Sequence, residues 1–374
     1  MTHPSDLPES DVFKGLEWLS ERIGYPVETV RGDTYPITWA ADGELYASAG
    51  DPLWGAGFPF QPEHRNDPRY HGLDVEKFSG MAPDYRIDKT SEMLDYVGWG
   101  GEGPKPSGMI SVGGSLYLAA QNLLGKKPAA HGDKSQHGSD AFIARSDDFG
   151  RTWAPTVADY LKRGAMFPGS PFGGPAFVQY GRDQAAPDGF VYAVSGDQWD
   201  NGSELRVGRV RADRILDAAS WEFVAAVDKS NRPRWSKRLA DAAAVLTLDR
   251  HLSLPEMVRL PGNGPSERRS ASGSPCGGRY LLATWQLGAD FSPEDGCELT
   301  VLESPEPWGP FRRVHVEDWT TGYPVFYCPR VPLKWFDPAT REGWMLWSGS
   351  WASTRATDTE RQYYRAQVRK FRLK

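Results

Sequence analysis

Five times along its length the chain repeats one pattern: an extended run, a tight turn built on Gly or Asp, then a second run of alternating aromatic or branched residues. The copies are PITWAADGELYASAGD (36–51), KPSGMISVGGSLYLAAQN (105–122), PAFVQYGRDQAAPDGFVYAVSGD (175–197), LPEMVRLPGNG with GRYLLATWQL (254–287), and CPRVPLKWFDPATREGWMLWSGSW (328–351). Such repetition restricts the fold more than any other property, because one unit buries too little surface to stand alone and must stack on its neighbours. Each copy reads as a hairpin. A second extended pair follows each one: 75–89, 140–155, 204–224, 297–316 and, at the end, 362–373. Naming the strands A to D from the inside outwards, the last unit supplies only A, B and C, while YPVETVRG (25–32) supplies an unpaired strand near the other end. Pairing 25–32 with 363–373 closes the ring and removes an exposed edge. The expected architecture is all-β: a five-bladed β-propeller of four-stranded blades over residues 25–374, behind an N-terminal extension, 1–24. In that extension DVFKGLEWLSERIG (11–24) places Val12, Leu16, Leu19 and Ile23 near helical spacing ahead of Gly-Tyr-Pro, which predicts a short amphipathic helix.

Composition agrees with a turn-rich β fold. Gly (40) and Pro (30) take up close to a fifth of 374 residues, against roughly 12% in ordinary chains, and both are poor in helix interiors. Aromatic residues make up 12%, enough to argue against disorder. The net charge of −6 is spread without any long run of like sign, so neither nucleic acid nor a membrane is expected as a partner. Cys276, Cys297 and Cys328 form no CxxC and stand at no zinc-finger spacing, so no metal site is expected from them and at most one disulfide. MTHPSDLPESDVFKG lacks the basic and apolar regions of a signal peptide, and a cytoplasmic location is expected unless a leader has been removed.

Two resemblances add to this. Ser146, Asp148, Gly150, Thr152 and Trp153 in SDDFGRTW match every position of the Asp-box of sialidases and related propellers. In those proteins the box is a structural turn away from the substrate, which implies a propeller and not a sialidase; the Phe-Arg-Ile-Pro motif of a sialidase is missing, since 31–36 reads RGDTYP. The ordered set GDTYPITWAADGELYASAGD, KPSGMISVGGSLYL, ARSDDFGRTW, DGFVYAVS, VGRVRADRILDAASWEF, GRYLLATW and ESPEPWGPF, from about residue 30 to 373, resembles a bacterial family of five-bladed propellers of uncharacterised domains. Some of its members are endo-D-arabinanases, glycoside hydrolases that cut mycobacterial-type arabinan. ESPEPWGPF also resembles a strand-turn of the arabinanase and xylosidase propellers.

In a propeller the D-to-A and B-to-C connections surround one mouth of the central channel. Asp33 precedes the first A strand, Asp51 follows its B strand, and Glu256 opens the A strand of blade 4. Carboxyl groups facing each other across such a mouth suit glycoside hydrolysis, one protonating the leaving oxygen while the other activates water or attacks. Asp33 is expected as base or nucleophile, Glu256 as acid, and Asp51 as the group tuning its neighbours. Substrate contacts are expected from Lys105, His137, Asp140, Asp197, Trp199, Arg232, Arg330 and Trp54, a mixture of donors and flat faces that a sugar needs. The long polar connection 125–140 is a candidate substrate-side flap. No cofactor is expected, although a structural calcium ion in the channel is compatible with the fold. The alternatives are a polysaccharide lyase using Tyr70, His71, His137, Arg232 and Arg330 on uronate linkages, or a carbohydrate-binding propeller without catalysis. The oligomeric state is left open.

Overall fold

The computed structural model describes residues 2–24, 32–52, 72–92, 103–124, 138–261, 278–287, 297–319, 326–349 and 364–374. They form five antiparallel sheets arranged as the blades of a propeller. Blade 1 contains Asp33–Trp39, Leu45–Gly50, Leu73–Ser79 and Arg86–Glu92 in that spatial order, and blade 4 repeats the plan with Glu256–Leu260, Arg279–Leu287, Cys297–Ser304 and Arg312–Asp318. Blade 2 has three full strands, Lys105–Val112, Ser115–Gln121 and Phe142–Ser146, its fourth reduced to a bridge between Arg145 and Ala154. Blade 3 is longer: Gly174–Phe177, Phe190–Gly196, Glu204–Arg211 and Glu222–Val227 are followed by Pro233–Ser236, and Leu246–Thr247 pairs back onto the third strand. Blade 5 is Phe326–Arg330, Glu342–Gly349 and Ala366–Leu373.

Middle strands such as Leu45–Gly50 and Ser115–Gln121 are buried at every position, because each blade is covered by neighbours on both faces. The space between blades is filled largely by aromatic rings. Phe167, Phe172, Trp221 and Phe223 cluster between blades 2 and 3, and Trp199, Trp285 and Tyr327 where blades 3, 4 and 5 meet. Edge-to-face pairs of this kind contribute about 0.5–1.5 kcal/mol each beyond the area they bury.

The ring closes between the N-terminal region and the C-terminal strand, but not through the expected residues. Leu16–Trp18 pairs with Phe371–Leu373, and Ile23 and Gly24 pair with Val368 and Gln367. The segment 11–24 is therefore not the predicted helix: two short strands within it, Leu16–Trp18 and Ile23–Gly24, take the fourth position of blade 5 and supply the partner expected from 25–32, of which 25–31 lie outside the described residues. Two physical causes override the helical spacing. Gly15 has φ +140°, a conformation far from helical, and a single exposed helix of 14 residues is marginal, whereas the open edge of Ala366–Leu373 offers a full ladder of backbone partners. The described residues instead hold one α-helix, Val157–Arg163, capped by reciprocal bonds between Thr156 and Asp159.

The turn 146–153 joins the third and fourth strands of blade 2, on the rim opposite Asp33. Ser146 Oγ donates to Asp148 Oδ1 (2.8 Å), and Asp148 accepts from the Thr152 amide (2.9 Å) and hydroxyl (2.7 Å). Trp153 Nε1 donates to the Gly150 carbonyl (3.0 Å) and reaches Ser91 Oγ on blade 1 (3.3 Å). A Trp153→Phe variant loses the bonds that tie this turn to the neighbouring blade and is expected to lose about 1–2 kcal/mol of stability with turnover unchanged. Thermal melting and an activity assay on the same preparation check this, and unchanged melting with lost activity would contradict it.

Candidate active site

The upper ends of three inner strands carry register irregularities: between Thr34 and Ile37 in blade 1, Pro106 and Gly108 in blade 2, and Tyr327 and Arg330 in blade 5. Thr34, Tyr35 and Cys328 have φ of +63°, +42° and +55°, values that cost L-residues energy and mark re-aimed backbone. These bulges turn side chains from separate blades towards one another. Gly50 supplies the room: a Cβ there would lie 2.4 Å from Asp33 Oδ1, so any side chain at 50 would displace the carboxyl group.

Asp33 is 6% exposed and its Oδ2 accepts a 2.9 Å hydrogen bond from the Tyr327 hydroxyl of blade 5. Burial and then the neighbouring Asp51 push its carboxyl up to about 8, against hydrogen bonds from Tyr327 and Tyr364 and the charge of Lys105. Asp51, with φ +43°, is paired with the buried Lys105 ammonium of blade 2, and the Tyr364 hydroxyl lies 3.5 and 3.4 Å from the Gly50 and Asp51 carbonyls. Glu256, on the inner strand of blade 4, is 4% exposed and accepts from the Val331 amide. Burial pushes it up to about 7, opposed by the Arg330 charge and the amide bond.

Arg330 bonds to the backbone beside each of the two carboxyl groups. Its Nε donates to the Thr34 carbonyl (2.8 Å) and its Nη1 to the Pro255 carbonyl (3.4 Å). Thr34 follows Asp33 and Pro255 precedes Glu256, so one guanidinium from blade 5 holds the backbones beside both carboxyl groups within its own span. Blades 1, 4 and 5 are thereby fixed to one another at the mouth.

The expected residues divide into those gathered here and those placed elsewhere. Asp33, Asp51, Lys105, Glu256 and Arg330 belong to one cluster, with Arg330 buried at 1% exposure and bonded to carbonyls. Trp199 does not present a face for stacking. It is 2% exposed and packs edge-on against Trp285 (5.4 Å) and Tyr327 (5.9 Å), because three blades meet at that point. Arg232 is also misplaced: it sits in the outer turn 228–232 of blade 3, exposed and paired with Asp228 (3.2 Å). Asp197 accepts from the Ser203 and Glu204 amides (2.8 and 3.1 Å), and Asp140 from the Gly169 amide (2.9 Å), so both secure loops. Trp54, Tyr70, His71 and His137 lie outside the described residues, as does most of the 125–140 connection. Tyr327 and Tyr364 were not singled out from sequence. Tyr327 stands one residue before the start assigned to the fifth repeat, and extending that repeat by one position would have placed it beside Asp33.

Cys297 and Cys328 are buried thiols, and that of Cys297 donates to the Phe326 carbonyl (2.7 Å). Among the described residues no helix is long and apolar enough to cross a membrane. No family model matches the chain, and no curated protein matches it. Among solved structures it is similar to a candidate hydrolase from Bacteroides ovatus, with 11% identity over 94% of this chain and 87% of that one and a TM-score of 0.56. It is also similar to the α-L-arabinofuranosidase of Podospora anserina in complex with cellotriose (10% identity, 98% of each chain, TM-score 0.47) and to an endo-arabinase of Bacteroides thetaiotaomicron (12% identity, 88% of this chain and 92% of that one, TM-score 0.41). At these identities the likeness is one of fold.

Proposed function

We propose that the chain is a glycoside hydrolase whose reacting pair is Asp33 and Glu256. The observation that carries this reading is the pair itself: two nearly buried carboxyl groups from blades 1 and 4, both raised towards neutrality, with the backbones beside them clasped by one guanidinium. Glycoside hydrolysis needs one carboxyl to protonate the leaving oxygen and one carboxylate to activate water or attack the anomeric carbon. Asp33 suits the second role, because the Tyr327 hydroxyl and nearby Lys105 favour its charged form. Glu256 then serves as the acid. The Asp51–Lys105 ion pair places a negative and a positive charge next to Asp33 and tunes its proton affinity. A furanoside-containing glycan of the arabinan type is the substrate we infer, on the sequence resemblance described above. A lyase draws less support, since Arg232 is on the outer edge of blade 3 and Arg330 is committed to backbone carbonyls.

With titrations at about 7 and about 8, activity requires one proton shared by the pair. Below the lower value both groups are protonated and no base exists; above the upper value both are ionised and no acid remains. The resulting bell is centred between about 7 and 8 whichever group holds the proton at rest. A kcat/KM profile with its optimum near pH 5 would contradict this account of the site. The function itself is tested by incubating the protein with arabinan, arabinogalactan and uronate-rich glycans. New reducing ends without ultraviolet absorbance are expected; an absorbing unsaturated product would establish elimination, and no product from any glycan would remove the hydrolase reading.

A further inference from the structure

His3, His251 and Glu298 come from three distant parts of the chain: the residue capping the short turn Pro4–Asp6, the connection between blades 3 and 4, and the third strand of blade 4. Their ligating atoms all lie within 4.8 Å of one another. His3 Nε2 is 3.6 Å from Glu298 Oε2, His251 Nε2 is 3.4 Å from Glu298 Oε1, and the two imidazole rings stand 4.7 Å apart at 81°. Charge-assisted hydrogen bonds are shorter, about 2.7–2.9 Å. The separations, which run to the two different oxygens of Glu298, instead leave room for an ion held between the carboxylate and the imidazoles at bond lengths of about 2.0–2.2 Å.

A second observation points the same way. His251 Nδ1 is in close contact with the Asp249 carbonyl, which places the ring proton on Nδ1 and leaves the Nε2 lone pair directed towards Glu298. A backbone carbonyl behind an imidazole is the usual outer support of a metal-binding histidine. Access is from the His3 side, whose side chain is 45% exposed.

We propose that His3, His251 and Glu298 bind one divalent transition-metal ion of the zinc type, with water completing its coordination. Two imidazole nitrogens with one carboxylate favour such an ion over calcium or magnesium, which take oxygen ligands. The ion joins the N-terminal segment to blades 3 and 4, where the Asp249 amide already donates to the Thr2 carbonyl (2.9 Å). The site uses neither Asp33 nor Glu256 and does not depend on the hydrolase reading. His3 is the weaker histidine ligand. Its Nδ1 accepts from the Ser5 amide (3.1 Å), so its proton sits on Nε2 and must move to Nδ1 when the ion binds, at the expense of that contact.

The test is a titration of the chelator-stripped full chain with Co2+ and then Zn2+. One equivalent of Co2+ is expected, with the intense visible bands of a four- or five-coordinate ion, displaced by one equivalent of Zn2+, and the melting temperature should rise with Zn2+. His251→Ala and Glu298→Gln should weaken binding by at least about tenfold, and His3→Ala by less than His251→Ala. His3 is exposed, so its variant tests the site without endangering the fold. Absence of Co2+ bands at millimolar metal, a weak octahedral spectrum, or unchanged affinity and stoichiometry in His3→Ala would each overturn the proposal.

Discussion

Asp33→Asn is expected to leave the fold intact and to lower kcat by a factor on the order of 10² or more. Asn fills the same volume above Gly50 and its amide oxygen still accepts from Tyr327, but it neither takes a proton at neutral pH nor attacks an anomeric carbon. Stability should change in the opposite direction. The Asp33 carboxyl moves from an ordinary 3.8 to about 8 on folding. Between those values the folded state holds a proton that the unfolded state has released, so this group costs stability increasingly as pH rises through the window. The amide has no such dependence. The variant should therefore melt at a higher temperature than the wild type at pH 8, with the difference closing as pH falls towards 4. Melting curves across that range, beside single-turnover rates, check both halves. A variant that is inactive and also less stable at pH 8 would show that Asp33 acts mainly as a structural residue.

Glu256→Gln is expected to reduce turnover of a natural glycan by about 10²–10⁴-fold, the range for loss of a general acid, and to do much less harm to an aryl glycoside whose leaving group departs without protonation. That dependence on the leaving group separates a proton donor from a carboxylate that only binds substrate, whose loss would weaken both substrates similarly. Gln retains an acceptor for the Val331 amide, so the variant should fold. If Asp33→Asn, and not Glu256→Gln, is the variant rescued by the better leaving group, the two roles are exchanged, and the pair remains while its assignment is reversed.

The blades were legible in the sequence because each writes its own signal: alternation along the strands, Gly or Asp at the turns, five times over. The places of Asp33, Asp51 and Glu256 at strand ends follow from the same repeat. What failed depended on contacts between distant segments. Residues 11–24 have helical spacing, and only the unpaired edge of a strand some 350 residues later, Ala366–Leu373, turns them into a strand. Trp199 looked like a stacking platform because a rim Trp and an inter-blade Trp are indistinguishable until the blades are assembled. Arg232 reads as a mouth residue if blade 3 ends at its fourth strand; Pro233–Ser236 extends the blade and carries that turn outwards. His3, His251 and Glu298 share no spacing at all, so nothing short of the folded ring brings them together.

The join between Leu16–Trp18 and Phe371–Leu373 also sets an order of events during synthesis. The ribosome delivers the first of these segments long before the second, so blades 1 to 4 emerge while the N-terminal strand has no sheet to enter. Blade 5 is completed last, and until then the nascent chain is an open arc with two apolar flanks awaiting each other. Trp18, which packs edge-on against Trp347 in the finished ring, is uncovered throughout this interval. The seam is therefore the place where a second nascent copy, offering the same C-terminal strand, competes with the chain's own.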